Sequence, residues 1–322
     1  MKFALAFILL CWYALSGFGQ TQTGQVRANG ITIAYESFGP ASNETILLIS
    51  GTNAQLTMWP IDLCTQLVKR GYRVIRFDNR DVGLSTKLDK AGLPDWAGII
   101  KALQEKTAPP LPYTLDDMAA DAVGLLDALK IPKAHIVGAS MGGMIAQRVA
   151  YNHPEHTLSL TSIMSGGGRP DFPVVAKPEV VGTIPPPGPP ADTVAYINRE
   201  IKSAIALAGT TYPLDSATVR KQVLAAVKRS YYPDGFGRQG AVSLAGFHAG
   251  RTDRLKTIRV PTLVIHGSAD PLVTVDAGRD VAATIPGARF ELIDGMGHGF
   301  PTPVLSRLAE LLAANAAKAS QK

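Results

Sequence analysis

The chain has 322 residues, a hydrophobic content of 46% and a formal net charge of +6. Roughly 300 residues of this composition can bury one large core, so we expect a single domain with an insertion or two unequal lobes. The basic residues are interspersed with apolar ones and form no nucleic-acid-binding motif, which argues against a nucleic-acid partner.

Residues 1–19 have the pattern of a secretory signal peptide. Lys2 is their only charged residue, an apolar run spans residues 3–15, and small residues follow at Gly17 and Gly19. The run is too short and too lightly flanked for a good membrane-spanning helix. We therefore expect cleavage after Gly19, export to the periplasm or the extracellular space, and no stable membrane anchor. An uncleaved anchor or a buried first helix is the alternative.

The next segments predict a hairpin followed by strands of a parallel sheet. Residues 25–28 and 31–37 alternate between apolar and polar around Asn29-Gly30, a dipeptide typical of two-residue hairpin turns. Apolar runs at residues 45–50 and 73–77, with a helical pattern at residues 61–70 between them, predict strands that are buried on both faces.

The same alternation of strands and helices continues to the end of the chain, apart from one interruption. The predicted helices and strands of this part are a helix at residues 114–129 with a capping box at Thr114 and Asp117, strands at residues 158–164, 262–267 and 290–293, and helices at residues 277–283 and 303–314.

The interruption spans residues 169–254. Residues 184–190 read IPPPGPP, which can form neither a helix nor a central strand, and amphipathic helical patterns follow at residues 192–207 and 215–230. We interpret this segment as a mostly helical cap. It divides the predicted core into residues 20–168 and 255–322.

The sequence Gly138-Ala139-Ser140-Met141-Gly142 lies between an apolar strand pattern and a helical one. The bare Gly-x-Ser-x-Gly pattern is weak evidence, because a glycine-rich chain of this length can contain it by chance. Its position between strand and helix predicts a nucleophile elbow, a strained turn that exposes the Ser140 hydroxyl while the two glycines make room. The alternative is a glycine-rich turn that packs a helix on a sheet.

A serine hydroxyl becomes a good nucleophile only beside an imidazole that an acid orients. His298 follows the last predicted strand and is the candidate base, with a solvent-exposed loop histidine as the alternative. Asp270 follows the strand at residues 262–267 and is the candidate acid. Asp171 is the second choice for the acid, and Asp294 is the third.

The other histidines are not candidates for the base. His135 and His266 lie within predicted strands, and His248 lies in the insertion, where it is interpreted as structural or pocket-lining. His153 and His156 are spaced like metal ligands, but Pro154 between them breaks the helix that would align the two rings, so we predict no metal site.

Two backbone N–H groups are candidates for an oxyanion hole. Met141 follows Ser140 at the start of a helix, where the helix dipole favours negative charge. The second donor is expected in the loop after the strand at residues 45–50, where Gly51-Thr52 is the candidate step. We predict the Thr52 N–H as this donor.

Five segments together resemble the α/β-hydrolase fold superfamily over residues 25–312, and they are HIVGASMGG, DNRDVGLS, YTLDDMAADAVGLLDAL, VPTLVIHGSADPLV and IDGMGHGFP. They look like the branch that includes the aclacinomycin methylesterase-like carboxylic ester hydrolases. The resemblance implies an α/β fold with a mostly parallel central sheet flanked by helices, a helical cap and no cofactor. It also implies a triad of Ser140, Asp270 and His298.

Two positions depart from the pattern of this superfamily. Ser50 stands where many relatives carry histidine, and Asp81 stands where the loop more often has glycine. The oxyanion donor is a backbone group, so Ser50 is compatible with the predicted hole.

These residues predict a serine esterase that acts on a small-molecule carboxylic ester through an acyl-enzyme. C–C bond hydrolysis, aminopeptidase action and cofactor-free peroxidation are alternatives on the same fold, and a non-catalytic ligand-binding protein is an alternative of another class. The sequence does not predict an oligomeric state. The candidate pocket residues are Leu56, Trp59, Met141, Phe236 and Phe247.

Overall fold

The structure is a computed structural model that describes residues 21–167, 169, 180 and 192–319. The predicted signal peptide, the second-choice acid Asp171 and the proline-rich residues 184–190 lie outside the described residues.

The described residues contain an eight-stranded sheet with the strand order β1-β2-β4-β3-β5-β6-β7-β8. The strands are β1 Gln22–Ala28, β2 Ile31–Phe38, β3 Thr45–Ile49, β4 Arg73–Phe77, β5 Ala134–Ala139, β6 Thr157–Ile163, β7 Thr262–Gly267 and β8 Arg289–Ile293. The pairs β1·β2 and β2·β4 are antiparallel, and the pairs from β4·β3 to β7·β8 are parallel. The predicted mostly parallel sheet is confirmed.

Helices flank this sheet, and each of the predicted helices in the described residues is present within two or three residues of its expected bounds. The helices are α1 Ile61–Lys69, α2 Trp96–Glu105, α3 Leu115–Ala128, α4 Met141–Asn152, α5 Thr193–Ala208, α6 Ser216–Arg229, α7 Pro233–His248, α8 Thr252–Leu255, α9 Val275–Thr284 and α10 Leu305–Ala316. No helix in the described part of the chain is both long enough and apolar enough to span a membrane.

Local sequence accounts for the hairpin turn between β1 and β2 and for the start of α3. Asn29 and Gly30 both adopt positive φ angles, 46° and 78°, as the turn between β1 and β2 requires. At the start of α3, the Thr114 hydroxyl accepts a hydrogen bond from the Asp117 N–H, and the Asp117 carboxylate accepts one from the Thr114 N–H. These two bonds form the predicted capping box.

The core lies in two layers, one on each face of the sheet. Along β3, Leu47 and Ile49 join the cluster that includes residues of α3, α4 and α9, whereas Ile46 and Leu48 join the cluster that includes residues of α1 and α10. This alternation follows from the two-residue period of a strand and explains why β3 is apolar from Ile46 to Ile49.

The helices α2 and α7 and the four-residue α8 are absent from the predicted elements. The helix α7 is 16 residues long and begins with Pro233 at its first turn, a position where proline is tolerated because that N–H has no helical partner. Two of its polar side chains, Arg238 and Gln239, are buried. A pattern of apolar residues alone does not predict a helix that buries polar residues.

Candidate active site

Ser140 lies at a sharp turn between β5 and α4. Its backbone has φ 57° and ψ −124°, a conformation that costs a non-glycine residue free energy and persists only where the surroundings enforce it. Its N–H donates to the Ile163 carbonyl at 2.9 Å, and the Ser165 hydroxyl donates to its carbonyl at 2.8 Å. The neighbouring strand and the loop after it thus hold the turn in place.

The glycines on either side of Ser140 allow this turn to pack. A Cβ atom at Gly138 would lie 1.9 Å from the Gly142 carbonyl oxygen, and a Cβ at Gly142 would lie 2.1 Å from the Ile49 carbonyl oxygen. Both positions therefore exclude any side chain. This is the packing expected of a nucleophile elbow.

The structure brings Ser140, His298 and Asp270 into one hydrogen-bonded chain. The Nε2 atom of His298 lies 3.0 Å from Oγ of Ser140, and its Nδ1 atom lies 2.8 Å from Oδ2 of Asp270. The three residues follow β5, β8 and β7, so the carboxyl ends of parallel strands place them at one edge of the sheet. Asp294, the third-choice acid, instead accepts a hydrogen bond from the Ser268 hydroxyl at 2.8 Å.

The Asp270 carboxylate is fully buried and has four donors around it. Its Oδ1 atom accepts hydrogen bonds from the backbone N–H groups of Leu272 and Val273, each at 2.9 Å. Its Oδ2 atom faces His298 and also His266, whose Nε2 atom is 3.3 Å away. The predicted site lacks His266; its position four residues before Asp270 is the signal that could have linked the two.

These donors determine the ionisation of Asp270. Burial by itself would raise the pKa of the carboxyl, but the charge of His298 and the hydrogen bonds from His266 and His298 outweigh burial. They hold the pKa of Asp270 well below its usual range. The carboxylate is therefore ionised at neutral pH and can orient the His298 ring.

The two predicted oxyanion donors are the N–H of Met141, which follows Ser140, and the N–H of Thr52, which follows Gly51. Neither the Met141 N–H nor the Thr52 N–H has a hydrogen-bond partner among the residues that the structure describes. Gly51 passes close to the elbow, because a Cβ at Gly51 would lie 3.1 Å from the Cβ of Ser140. The loop that contains Thr52 therefore approaches the serine at Gly51.

Asp81, one of the two departures from the superfamily pattern, is a buried ion-pair partner. It has a positive φ of 67°, and its Oδ2 atom accepts a hydrogen bond from Nε of Arg238 at 2.8 Å. Its Oδ1 atom accepts another from the Leu88 N–H at 2.8 Å. Arg238 belongs to α7, so this aspartate joins the loop after β4 to the insertion.

The predicted pocket residues occupy different environments. Leu56 and Trp59 are 1% and 0% exposed, and the Trp59 ring stacks on Phe300 with ring centroids 4.8 Å apart. Both side chains are packing residues in this conformation. Phe236 and Phe247 lie on α7 and are partly exposed, whereas Met141 is buried.

A hydroxyl that is hydrogen-bonded to an imidazole, which in turn contacts a buried carboxylate, can attack a carbonyl carbon. Backbone N–H groups without a partner among the described residues can stabilise the oxyanion if they face it. Among the described residues, no cluster of three or more His, Cys, Asp or Glu side chains has the arrangement of a metal site.

Two known methylesterases are similar to this chain. Rhodomycin D methylesterase DnrP of Streptomyces peucetius is 29% identical over 318 residues, which cover 91% of this chain and 97% of the relative. Rhodomycin D methylesterase DauP of Streptomyces sp. strain C5 is also 29% identical, with the same coverage.

Solved structures share the fold. A meta-cleavage product hydrolase from Pseudomonas fluorescens is 20% identical and superposes with a TM-score of 0.68 over 92% of this chain and 98% of that structure. The sequence profile of the alpha/beta hydrolase fold family matches residues 44–301. The protein therefore belongs to the alpha/beta hydrolase fold family.

Proposed function

We propose that the protein is a serine hydrolase that cleaves carboxylic esters of small molecules through an acyl-enzyme. The observation that carries this proposal is the continuous chain of hydrogen bonds from Asp270 through His298 to the Ser140 hydroxyl. The similarity to two methylesterases over more than nine-tenths of the chain supports an ester as the substrate.

The first half of the reaction forms the acyl-enzyme. His298 accepts the proton of the Ser140 hydroxyl as the serine oxygen attacks the ester carbonyl carbon. The carbonyl oxygen becomes an oxyanion, which the N–H groups of Met141 and Thr52 stabilise. The C–O bond to the alcohol then breaks, and the alcohol leaves with the proton from His298.

The second half releases the acid. A water molecule gives a proton to His298 and attacks the acyl carbon, and the second oxyanion occupies the same two donors. When the bond to Ser140 breaks, the serine oxygen recovers its proton from the imidazolium. Asp270 remains ionised throughout and stabilises the positive charge on His298.

The helices α5, α6 and α7 act as a cap in this proposal. The backbone N–H of His298 donates to the Leu207 carbonyl at 2.7 Å. A Cβ atom at Gly297 would lie 2.3 Å from the Ala208 carbonyl oxygen. The end of α5 thus lies directly on the histidine loop. A cap in this position would limit the access of water and select substrates by size.

The test is hydrolysis of p-nitrophenyl acetate and p-nitrophenyl decanoate by the wild-type protein and by Ser140→Ala. We expect the variant to lose about a thousandfold or more in kcat, as removal of a triad nucleophile does. Ser306→Ala, an exposed serine on α10, is the matched control and should keep full activity. A folded wild-type protein that hydrolyses neither ester would contradict a general esterase.

We further propose that residues 1–19 direct export and are removed. Their single charge, apolar run and small residues support this. Intact-mass analysis of the protein from separated cell fractions tests it. A chain that begins at Gln20 outside the cytoplasm is the expected result, and a full-length chain retained in the cytoplasm would overturn the proposal.

A further inference from the structure

The loop of residues 51–56, called the oxyanion loop below, is held by side chains from the insertion. Its contacts reach three helices, α5, α6 and α7, although these helices follow it in the chain by more than a hundred residues. The most direct of these contacts is made by Gln239 of α7.

Gln239 is fully buried and uses both ends of its amide group. Its Oε1 atom accepts a hydrogen bond from the backbone N–H of Asn53 at 2.7 Å. Its Nε2 atom donates to the backbone carbonyl of Arg80 at 2.6 Å. The amide thus bridges the oxyanion loop and the loop after β4, and its orientation is fixed because a flipped amide would lose both bonds.

The bond to Asn53 fixes the conformation of a turn. The Ala54 N–H donates to the Gly51 carbonyl at 3.3 Å, which makes Thr52 and Asn53 the two central residues. Asn53 has a positive φ of 58°, as the third residue of a type II turn requires. In a type I turn the peptide between the two central residues is flipped, and the Asn53 N–H would then point away from Gln239.

The Thr52 N–H, the proposed oxyanion donor, belongs to the peptide next to the one that Gln239 holds. Both turn types keep φ of Thr52 at about −60° and differ in ψ of Thr52 and φ of Asn53. Gln239 therefore acts on the Thr52 N–H indirectly, by fixing the peptide on the other side of the Thr52 Cα. Asn has a moderate tolerance of positive φ, so the turn needs external support. Gln239 provides it from α7, and the Tyr196 hydroxyl of α5 accepts a weaker bond from the Asn53 side chain at 3.3 Å.

Other hydrogen bonds and an ion pair attach the insertion to the same loop. The Gln55 side chain donates to the Ala226 and Ser230 carbonyls at 2.8 Å and 3.1 Å. Arg229 at the end of α6 contacts the buried carboxylate of Asp78 at 2.8 Å, which also accepts from the Leu56 N–H. The insertion is therefore attached to both ends of the oxyanion loop.

We propose that Gln239 is a positioning residue that completes the oxyanion hole from the insertion by holding the 51–54 turn in its type II form. This inference rests on the proposed esterase function. A residue that only anchors α7 would change the stability of the protein. A residue that positions the oxyanion donor must in addition change the stabilisation of the transition state relative to that of the bound substrate.

The test compares Gln239→Met, Gln239→Glu and Tyr232→Phe, with kcat expressed per active site titrated. Methionine removes both hydrogen bonds, whereas glutamate keeps an acceptor for the Asn53 N–H. Tyr232→Phe is the matched control, because the Tyr232 hydroxyl, just before the same helix, donates to Asp89 and accepts from Arg238 without touching the oxyanion loop.

We expect Gln239→Met to lower kcat by about 10- to 100-fold and to change KM by less than twofold. This loss in kcat is smaller than the loss caused by complete removal of an oxyanion donor. Its affinity for a trifluoromethyl ketone, which mimics the tetrahedral intermediate, should fall by the same factor as kcat/KM. Gln239→Glu should retain more activity than the methionine variant, and Tyr232→Phe should keep the wild-type kcat. An unchanged kcat in Gln239→Met, or a loss through KM alone, would overturn the inference.

Amide hydrogen exchange of residues 51–56 separates this inference from the proposed function. Gln239→Met should speed exchange in this loop at least tenfold, and Tyr232→Phe should not. If the wild-type protein hydrolysed no ester, the proposed function would fail, whereas the exchange result would still show whether Gln239 holds the turn. Equal exchange in the wild type and Gln239→Met would overturn the inference by itself.

Discussion

The Nε2 atom of His266 lies 3.3 Å from Oδ2 of Asp270, the same oxygen that contacts His298 at 2.8 Å. His266 is fully buried, and its Nε2 atom is also 3.0 Å from the Val273 carbonyl. Both neighbours are acceptors, so Nε2 carries a hydrogen. The Nδ1 atom of His266 has no hydrogen-bond partner among the described residues.

The first prediction concerns this histidine. His266→Phe removes a donor to an ionised carboxylate, so we expect the free energy of unfolding to fall by about 1.5–3 kcal/mol and kcat to fall by roughly tenfold because Asp270 orients His298 less firmly. His266→Gln can place an amide N–H near the position of Nε2 and should restore most of the rate. Ester hydrolysis and urea unfolding check both effects. Equal rates for the phenylalanine and glutamine variants would contradict the role of the N–H.

The second prediction follows from the depressed pKa of Asp270. In the unfolded chain an aspartate has a pKa near 3.9, so the stabilisation from its ionised form is complete above about pH 4 and is lost as the pH falls towards the folded-state pKa. The gap in unfolding free energy between wild type and Asp270→Asn should thus be largest near neutral pH and shrink below pH 4. Urea unfolding at pH 7, 5 and 3 measures it, and a gap that widened in acid would contradict the assignment.

The third prediction tests the elbow. Gly142→Ala places a methyl group 2.1 Å from a backbone oxygen, and we expect a loss of at least about 3 kcal/mol in unfolding free energy. Gly240→Ala is the matched control, because Gly240 also lies in a helix and its added Cβ would meet only the Trp96 ring at 3.7 Å. That variant should be stabilised by about 0.5–1 kcal/mol, since alanine favours a helix more than glycine does. Similar melting temperatures for the two variants would contradict the packing argument.

The elbow and the sheet could be predicted because their signals are local. Gly138, Ser140 and Gly142 lie within five positions of one another, and the apolar runs of β3, β4 and β5 mark strands that are buried on both faces. Catalytic residues of this fold lie just after the carboxyl ends of strands, so the predicted strand ends limit the positions of the acid and the base. This is why Asp270 and His298 could be chosen from the sequence.

The support around the site could not be predicted from local pattern. Gln239 and Asn53 are 186 residues apart in the chain, and Arg238 and Asp81 are 157 apart. Arg238 and Gln239 lie on α7, which is rich in glycine. Glycine is needed at position 235 because an added Cβ would lie 1.9 Å from the Asp81 carbonyl oxygen. Tertiary packing therefore overrides a composition that disfavours a helix.

The fourth prediction uses the buried pair of Asp81 and Arg238. Arg238→Met leaves the carboxylate buried without its charged partner, and we expect a loss of about 3–5 kcal/mol in unfolding free energy. Asp81→Gly in the same chain removes that carboxylate and suits the positive φ at this position, so the double variant should recover most of the loss. Lys256→Met, in an exposed pair, should change stability by less than about 0.5 kcal/mol. Additive effects of the two substitutions would contradict the coupling.

The last prediction concerns Cys64, which is fully buried in the layer beneath α1. Burial raises the pKa of its thiol to about 12, so the reactive thiolate is scarce at pH 8. In a Cys11→Ser chain, where Cys64 is the only thiol, we expect no reaction with Ellman's reagent in the folded protein and immediate reaction in denaturing urea. Because an unfolded cysteine ionises near pH 8.5, the free energy of unfolding should also decrease above that pH by an amount that Cys64→Ala does not share. Rapid labelling of the folded chain would show that the layer beneath α1 opens to solvent, contrary to the packing of Cys64.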